Sequence, residues 1–274
     1  MIEKVIEVLK YILLGLVQGI TEVLPISSSG HLAIANELLG IKDDSITLSV
    51  FLHFASLIAV IIYLRKELKQ LIIGFFGFIF KDRTKYKKDF LLAIYLVITT
   101  SILVVFTLLT KILGYESSPL WVIGLCLILN AIMLFFLGTF TGKRSLDEMT
   151  WKDAIVIGLF QCAGSFAGIS RSGSCLCGCQ TRKIEKEASA KYAFLLFIPA
   201  ILGATVLELG GIASMFDDTS KLYLYLISFI VSFTATYFAF TLLRKIISKG
   251  KLTGFSIYCA IIGVIVLIAG IWFI

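Results

Sequence analysis

The 274-residue sequence is 58% hydrophobic and 16% charged, with a mean hydropathy of +0.97. Soluble domains run roughly 45–50% apolar and about 25% charged, so this composition excludes a soluble globular protein and specifies an all-α polytopic membrane protein. Three prolines and 22 glycines exclude a Pro-rich linker or collagen-like stretch; the net charge of +7, which in a soluble chain would point to nucleic acid, is read first as membrane orientation.

In chain order, the first apolar stretch runs over 10–24 to Pro25, breaks at Ser27-Ser28-Ser29-Gly30-His31 and resumes to about 39. Glu3, Lys4 and Glu7 mix charges ahead of it, and no small-residue cleavage site follows a short apolar core. The segment is therefore expected to stay in the mature chain. Spans are predicted at 45–64, 89–113 and 119–138, with 68–80 expected at the membrane interface. A second broken stretch runs over 152–167, turns through Gly168 and Ser170-Arg171-Ser172-Gly173, and ends near 180. Spans follow at 188–208, 222–243 and 253–274. Each arm of a broken stretch holds about 15 residues, roughly 22 Å of helix, against a hydrocarbon core of about 30 Å. Pro25 and the Ser/Gly clusters end helices where they stand. Two re-entrant helical hairpins beside six transmembrane helices are predicted.

The basic residues sort accordingly. With both hairpins returning to the side they entered, one side collects five Lys (Lys4, Lys10, Lys42, Lys111 and Lys221). The other collects nineteen Lys and Arg, including the run Lys81–Lys88, Arg144, Arg182, Lys249 and Lys251. This bias puts the second side in the cytoplasm and both termini outside a multi-pass membrane protein. Arg171, inside the second hairpin, is left over.

Offset by 143 residues, the chain resembles itself: 10–31 lies over 153–174 with Gln18/Gln161, Gly15/Gly158 and a shared Ile-Ser-x-Ser-Gly among eight identities in 22. A single membrane domain is expected, built of repeats at about 1–143 and 144–274. Each repeat has one hairpin and three spans, so the second copy has inverted topology. Polar, non-helical backbone near the midplane is tolerated where it lines a cavity or packs on protein. The two hairpin tips are therefore expected to face each other and form a site.

Gln18 and Glu22, four apart, share a helix face, and a carboxylate at membrane depth is a functional candidate. Ser27, Ser28 and Ser29 follow, with His31: a hydroxyl beside an imidazole suits a nucleophile and its base. Consecutive Ser/Gly amides suit an anion. The competing reading of the serines is a plain turn. Arg171 requires a fixed anionic partner, either Glu22 or a phosphate ligand. Together these groups point to phosphate-ester chemistry with a divalent cation on Glu22. His53, at the opening of a span, reads as capping or lining a helix. The Cys175, Cys177 and Cys179 run lacks zinc spacing and reads as packing.

These motifs resemble the undecaprenyl-pyrophosphate phosphatase family of bacterial membranes, also called the bacitracin-resistance protein family. Gln18-x-x-x-Glu22 is similar to its (E/Q)xxxE pattern, and Pro25 to His31 to its PxSSxGH stretch. Ala167 to Cys175 resembles PGxSRSGxT, and Phe194 to Pro199 resembles FLLxxP. The resemblance covers essentially the whole chain. It implies an enzyme of interlocked inverted repeats in the bacterial cytoplasmic membrane. Such an enzyme removes one phosphate from a polyprenyl pyrophosphate at the outer face, recycling the cell-wall lipid carrier. It further implies that Glu22 and Gln18 organise a divalent cation, Mg²⁺ or Ca²⁺, and that Ser28 is the nucleophile, with Ser27 as the alternative. By the same resemblance His31 handles the proton. Arg171, Ser170, Ser172, Gly173 and Ser29 bind substrate.

The expected partners are the lipid substrate and the bilayer, with no nucleic acid; a homodimer is left open. Three positions depart from the family pattern: Ala167 for proline, Cys175 for threonine and Lys191 for glutamate. They leave open a paralogue with altered substrate preference. Two other readings compete: a flippase or transporter of polyprenyl phosphates without hydrolysis, and a small-ion exchanger using Glu22.

Overall fold

The structure, a computed structural model, describes residues 2–41, 45–115, 118–137, 142–217, 219–248 and 252–272. Lys42, Lys249 and Lys251 of the charge count, and the span ends at 138 and 273–274, lie outside the described residues. The described chain forms twelve α-helices: α1 (Ile2–Val23), α2 (Ser28–Leu39), α3 (Ser45–Tyr63), α4 (Arg65–Phe80), α5 (Arg83–Ile112), α6 (Leu120–Leu137), α7 (Trp151–Ala163), α8 (Arg171–Thr181), α9 (Lys186–Leu207), α10 (Leu209–Met215), α11 (Leu222–Ser248) and α12 (Thr253–Trp272). Six of them, α3, α5, α6, α9, α11 and α12, are long and apolar enough to cross a bilayer. The protein is an all-α polytopic membrane protein.

Both broken stretches are helix–turn–helix units, α1–α2 and α7–α8. The order of elements in α1–α6 recurs in α7–α12, and the packing exchanges partners between the two sets. Helix α1 packs on α11, α7 packs on α5, α6 pairs with α12, and α3 lies against α9 and α11. Small residues set these contacts. A Cβ on Gly15 or Gly19 of α1 would meet the Ser228 or Ser232 carbonyl oxygen of α11 at 2.5 Å. A Cβ on Gly124 of α6 would meet the Leu267 amide nitrogen of α12 at 2.5 Å. Close backbone approach is how helices associate where lipid removes the hydrophobic incentive. Ser56, Ser232 and Thr236 add a fully buried hydroxyl ladder between α3 and α11. Outward faces carry Leu125, Leu129 and Phe136 on α6 and Ile257, Ile261, Ile265 and Ile268 on α12, all exposed. An apolar surface this continuous belongs in lipid.

Three boundaries differ from the sequence reading. Helix α1 has 22 residues and starts at Ile2, because Val8 and Tyr11 already pack inward on the same face as Leu14. Helix α5 starts at Arg83, where the Asp82 carboxylate caps the Thr84 and Lys85 amides at 2.8 and 3.0 Å. The 68–80 stretch belongs to α4, which packs along α5 with Gly74 against Asp89 and Gly77 against Tyr86.

The base of the second hairpin is clamped by charge. Asp153, fully buried in the first turn of α7, takes Arg144 in a two-pronged contact at 2.8 and 3.2 Å and Arg182 at 2.6 Å. The Thr150 amide and hydroxyl complete its shell at 2.8 and 2.9 Å. These bonds join the connection before α7 to the end of α8, so both arms leave from one fixed point. In the same connection the Ser145 amide and hydroxyl bond Glu148 and hold its carboxyl below the usual range.

Candidate active site at the hairpin tips

The two turns touch. Ser27 caps α2 from a left-handed backbone, φ +72°, which costs a non-glycine residue energy and is held only by its surroundings. Its Oγ accepts from the Gly30 amide at 3.3 Å and, across the hairpins, from the Gly168 amide at 3.0 Å. Gly168 has φ +100°, and a Cβ there would stand 2.6 Å from Cys126 Cβ and the Ile123 carbonyl oxygen; only glycine fits. A Cβ on Gly30 would stand 2.9 Å from the Gly168 amide nitrogen. Asn130 of α6, fully buried, donates to the Pro25 carbonyl at 3.0 Å and accepts from the Ser170 amide at 3.0 Å. One amide side chain thus ties both turns to one transmembrane helix.

A pocket of roughly 570 Å³, its open mouth included, lies between these turns and α3, α9 and α11. Helices α2 and α8 both begin on it, so two sets of unbonded amide groups and two positive helix ends border one cavity. Ser27, Ser28 and Ser29 line it from the first hairpin, and Ser170, Arg171 and Ser172 from the second. Val60, Phe194, Phe197 and Phe240 form apolar walls.

Glu22 is the pocket's carboxylate. Its Oε2 accepts from Gln18 Nε2 at 2.7 Å and faces His53 Nε2 at 3.0 Å, and Ser28 lines the same pocket. Gln18 Oε1 is buried with no partner. Arg171 stands at the start of α8 with its guanidinium over the Phe197 ring, 5.8 Å from the centroid. It makes no ion pair among the described residues, so of its two candidate partners the direct pairing with Glu22 is absent, and its side chain lines the pocket. Ser170 caps α8, accepting from the Gly173 amide at 3.1 Å, with Ser172 Oγ 3.1 Å away. Gly173 serves this cap and is not part of the pocket wall.

His31 is not brought to the serine hydroxyls. Its Nδ1 lies 2.7 Å from the Ser27 carbonyl oxygen, and its Nε2 is 2.9 Å from the hydroxyl of Tyr258 on α12, whose ring stacks on the imidazole. A carbonyl only accepts, so Nδ1 donates to Ser27 and Nε2 accepts from Tyr258. His31 steadies the strained Ser27 backbone from behind. Of the three departures, Ala167 lies in the turn before Gly168, and Cys175 is buried on α8 with the other two thiols of its run. Lys191 is half-buried on α9, outside the pocket wall and without an ion pair among the described residues.

Three site residues escaped the sequence reading. The sequence reads His53 as capping or lining a helix, since nothing local tells which neighbour an imidazole meets. Asn130 had a usable signal, an amide in an otherwise apolar span. Tyr258 had none, because aromatic residues are common in such helices.

Residues 11–265 match the family described as bacitracin resistance protein BacA. The chain belongs to this family. It is 36% identical to an undecaprenyl-diphosphatase of Oceanobacillus iheyensis over 95% of this chain and 96% of that one. Similar matches are undecaprenyl-diphosphatase 3 of Bacillus anthracis, 36% identical over 95% and 97% of the two chains, and undecaprenyl-diphosphatase 2 of Halalkalibacterium halodurans, 37% identical over 94% and 95%.

Proposed function

We propose that this chain is a membrane hydrolase that converts undecaprenyl pyrophosphate to the monophosphate, and that its site works at the outer face of the bacterial cytoplasmic membrane. The observation that carries this reading is the convergence of two helix starts and Arg171, which has no ion pair among the described residues, on a pocket holding the Glu22 carboxylate. Helix N-termini and a guanidinium bind a pyrophosphate. The apolar walls suit the adjoining prenyl chain.

Ser28 is the nucleophile this geometry favours. It lines the pocket together with the Glu22 carboxylate, whereas Ser27 Oγ already accepts two amide N–H groups. The Ser28 oxygen attacks the terminal phosphorus while its proton passes to Glu22. The bond from that phosphorus to the bridging oxygen breaks, and the prenyl monophosphate leaves. Water then hydrolyses the phosphoserine to inorganic phosphate. Arg171, Ser170 and Ser172 hold the phosphoryl oxygens. His31 acts through the position of Ser27.

The donor set fits a divalent cation of the Mg²⁺ or Ca²⁺ type. Among the described residues no three His, Cys, Asp or Glu gather as ligands. Glu22 supplies one carboxylate beside the unpartnered carbonyl oxygen of Gln18, and Mg²⁺ characteristically takes one or two carboxylates with substrate phosphates. When bound, the ion neutralises phosphate charge.

The test is phosphate release by purified protein from undecaprenyl and farnesyl pyrophosphate, with and without EDTA. Arg171→Ala, Glu22→Gln and Ser28→Ala are each expected to lower kcat at least about a hundredfold. Variants that release phosphate like wild type would overturn the site, and lipid translocation in proteoliposomes without phosphate release would overturn the hydrolase.

A further inference from the structure

His53 joins its own helix to the pocket carboxylate. His53 Nδ1 is 2.6 Å from the Ser49 carbonyl oxygen. That oxygen only accepts, so Nδ1 carries a ring hydrogen and Nε2 is the nitrogen turned to the pocket. Nε2 stands 3.0 Å from Glu22 Oε2, with the two side chains only 10% and 6% exposed. A carboxylate oxygen brings no hydrogen of its own to a separation this short, so a proton or a metal ion joins the pair.

The arrangement has the form of a ligand pair. An imidazole that donates one N–H to a backbone carbonyl and aims its other nitrogen outward is the usual posture of a metal-bound histidine. Two neighbouring donors at about 2.1 Å from an octahedral ion stand roughly 3 Å from each other. The partnerless Gln18 Oε1 belongs to the residue bonded to the same carboxylate.

We propose that His53 Nε2, with Glu22, is a protein ligand of the divalent cation in this pocket, and that the imidazole makes the site prefer Co²⁺ or Mn²⁺ over Ca²⁺. Imidazole suits the first-row transition ions, while Ca²⁺ takes oxygen ligands. The proposal rests on the reading of the pocket as a metal-assisted hydrolase, but its test reads the metal rather than the hydrolysis.

The full chain, purified in detergent without metal, is titrated with Co²⁺ and followed by its visible absorption and by calorimetry. Wild type is expected to bind Co²⁺ with visible bands that excess Ca²⁺ displaces poorly. His53→Ala and His53→Gln are expected to weaken Co²⁺ at least about tenfold and to alter the bands. Glu22→Gln is expected to abolish them. His53→Gln keeps a polar side chain of similar reach, so it decides the matter if His53→Ala does not fold. The amide oxygen it offers should narrow the preference against Ca²⁺. Unchanged Co²⁺ affinity and spectrum in both His53 variants would overturn the proposal, meaning that a proton alone joins the pair. So would wild type that binds no Co²⁺ yet releases phosphate in EDTA, which leaves the hydrolase standing. Co²⁺ bound through His53 without any phosphate release would sink the hydrolase and leave the ligand assignment intact.

Discussion

Ser27, with φ +72°, is the residue on which the two hairpins hinge. Its hydroxyl receives an amide from each turn and its carbonyl receives His31, whose other nitrogen is bonded to Tyr258. A strained backbone persists only when several contacts specify it. Tyr258→Phe removes one hydroxyl from this chain of bonds and leaves the apolar stacking. The loss of about 1 kcal/mol of orientation is expected to lower kcat roughly fivefold, with KM and the melting temperature unchanged. Steady-state phosphate release and a thermal melt read the two effects separately, and an unaltered kcat would mean that His31 needs no support from α12. The serine cluster, Glu22 and Arg171 were legible in the sequence because polar groups at membrane depth require a reason. The direction in which His31 points was not, since a local motif names a residue's neighbours in the chain and not the helix behind it.

Among the elements, α6 organises the site. It carries no pocket-lining side chain, yet Asn130 bonds Pro25 of one turn and Ser170 of the other, while the Gly124 contact with α12 brings Tyr258 within reach of His31. Asn130→Leu strands a buried carbonyl and a buried amide. At about 1–3 kcal/mol for each group, the variant is expected to melt well below wild type in detergent. Asn130→Asp keeps an acceptor for the Ser170 amide, but its carboxylate faces the Pro25 carbonyl without a proton to offer. A similar loss is expected, read by the same melt; full stability of both variants would remove Asn130 from the role of tether. The breaks at Pro25, Gly168 and the serines were predictable, and α2, α7 and α8, with 12, 13 and 11 residues, are shorter than the bilayer as expected; α1, with 22, is long enough to cross it. The length of α1 and the docking of α4 on α5 were not. Both depend on which face finds a partner, and helix propensity does not encode that.

Across the whole molecule, the exchanged packing of α1 on α11 and α7 on α5 makes the two sets of helices inseparable and carries the two tips to one pocket. Membrane orientation follows a separate logic, the asymmetry of basic residues. Lys4→Cys is expected to react in intact cells with a membrane-impermeant maleimide, and Lys85→Cys only after lysis. All six native cysteines are buried and give little background. The opposite labelling pattern would put the site at the inner face. The sequence by itself determined the membrane class, the six spans, the two broken hairpins and the polar residues at their tips. These follow from hydropathy, helix-breaking residues and the cost of charge in lipid, all local properties of the chain. The tertiary structure alone decided that His53 meets Glu22, that Arg171 lines the pocket without pairing with Glu22 and that Asn130 and Tyr258 support the turns. Each of these contacts joins segments far apart in the chain, and only the packing of one helix against another sets the distance between them.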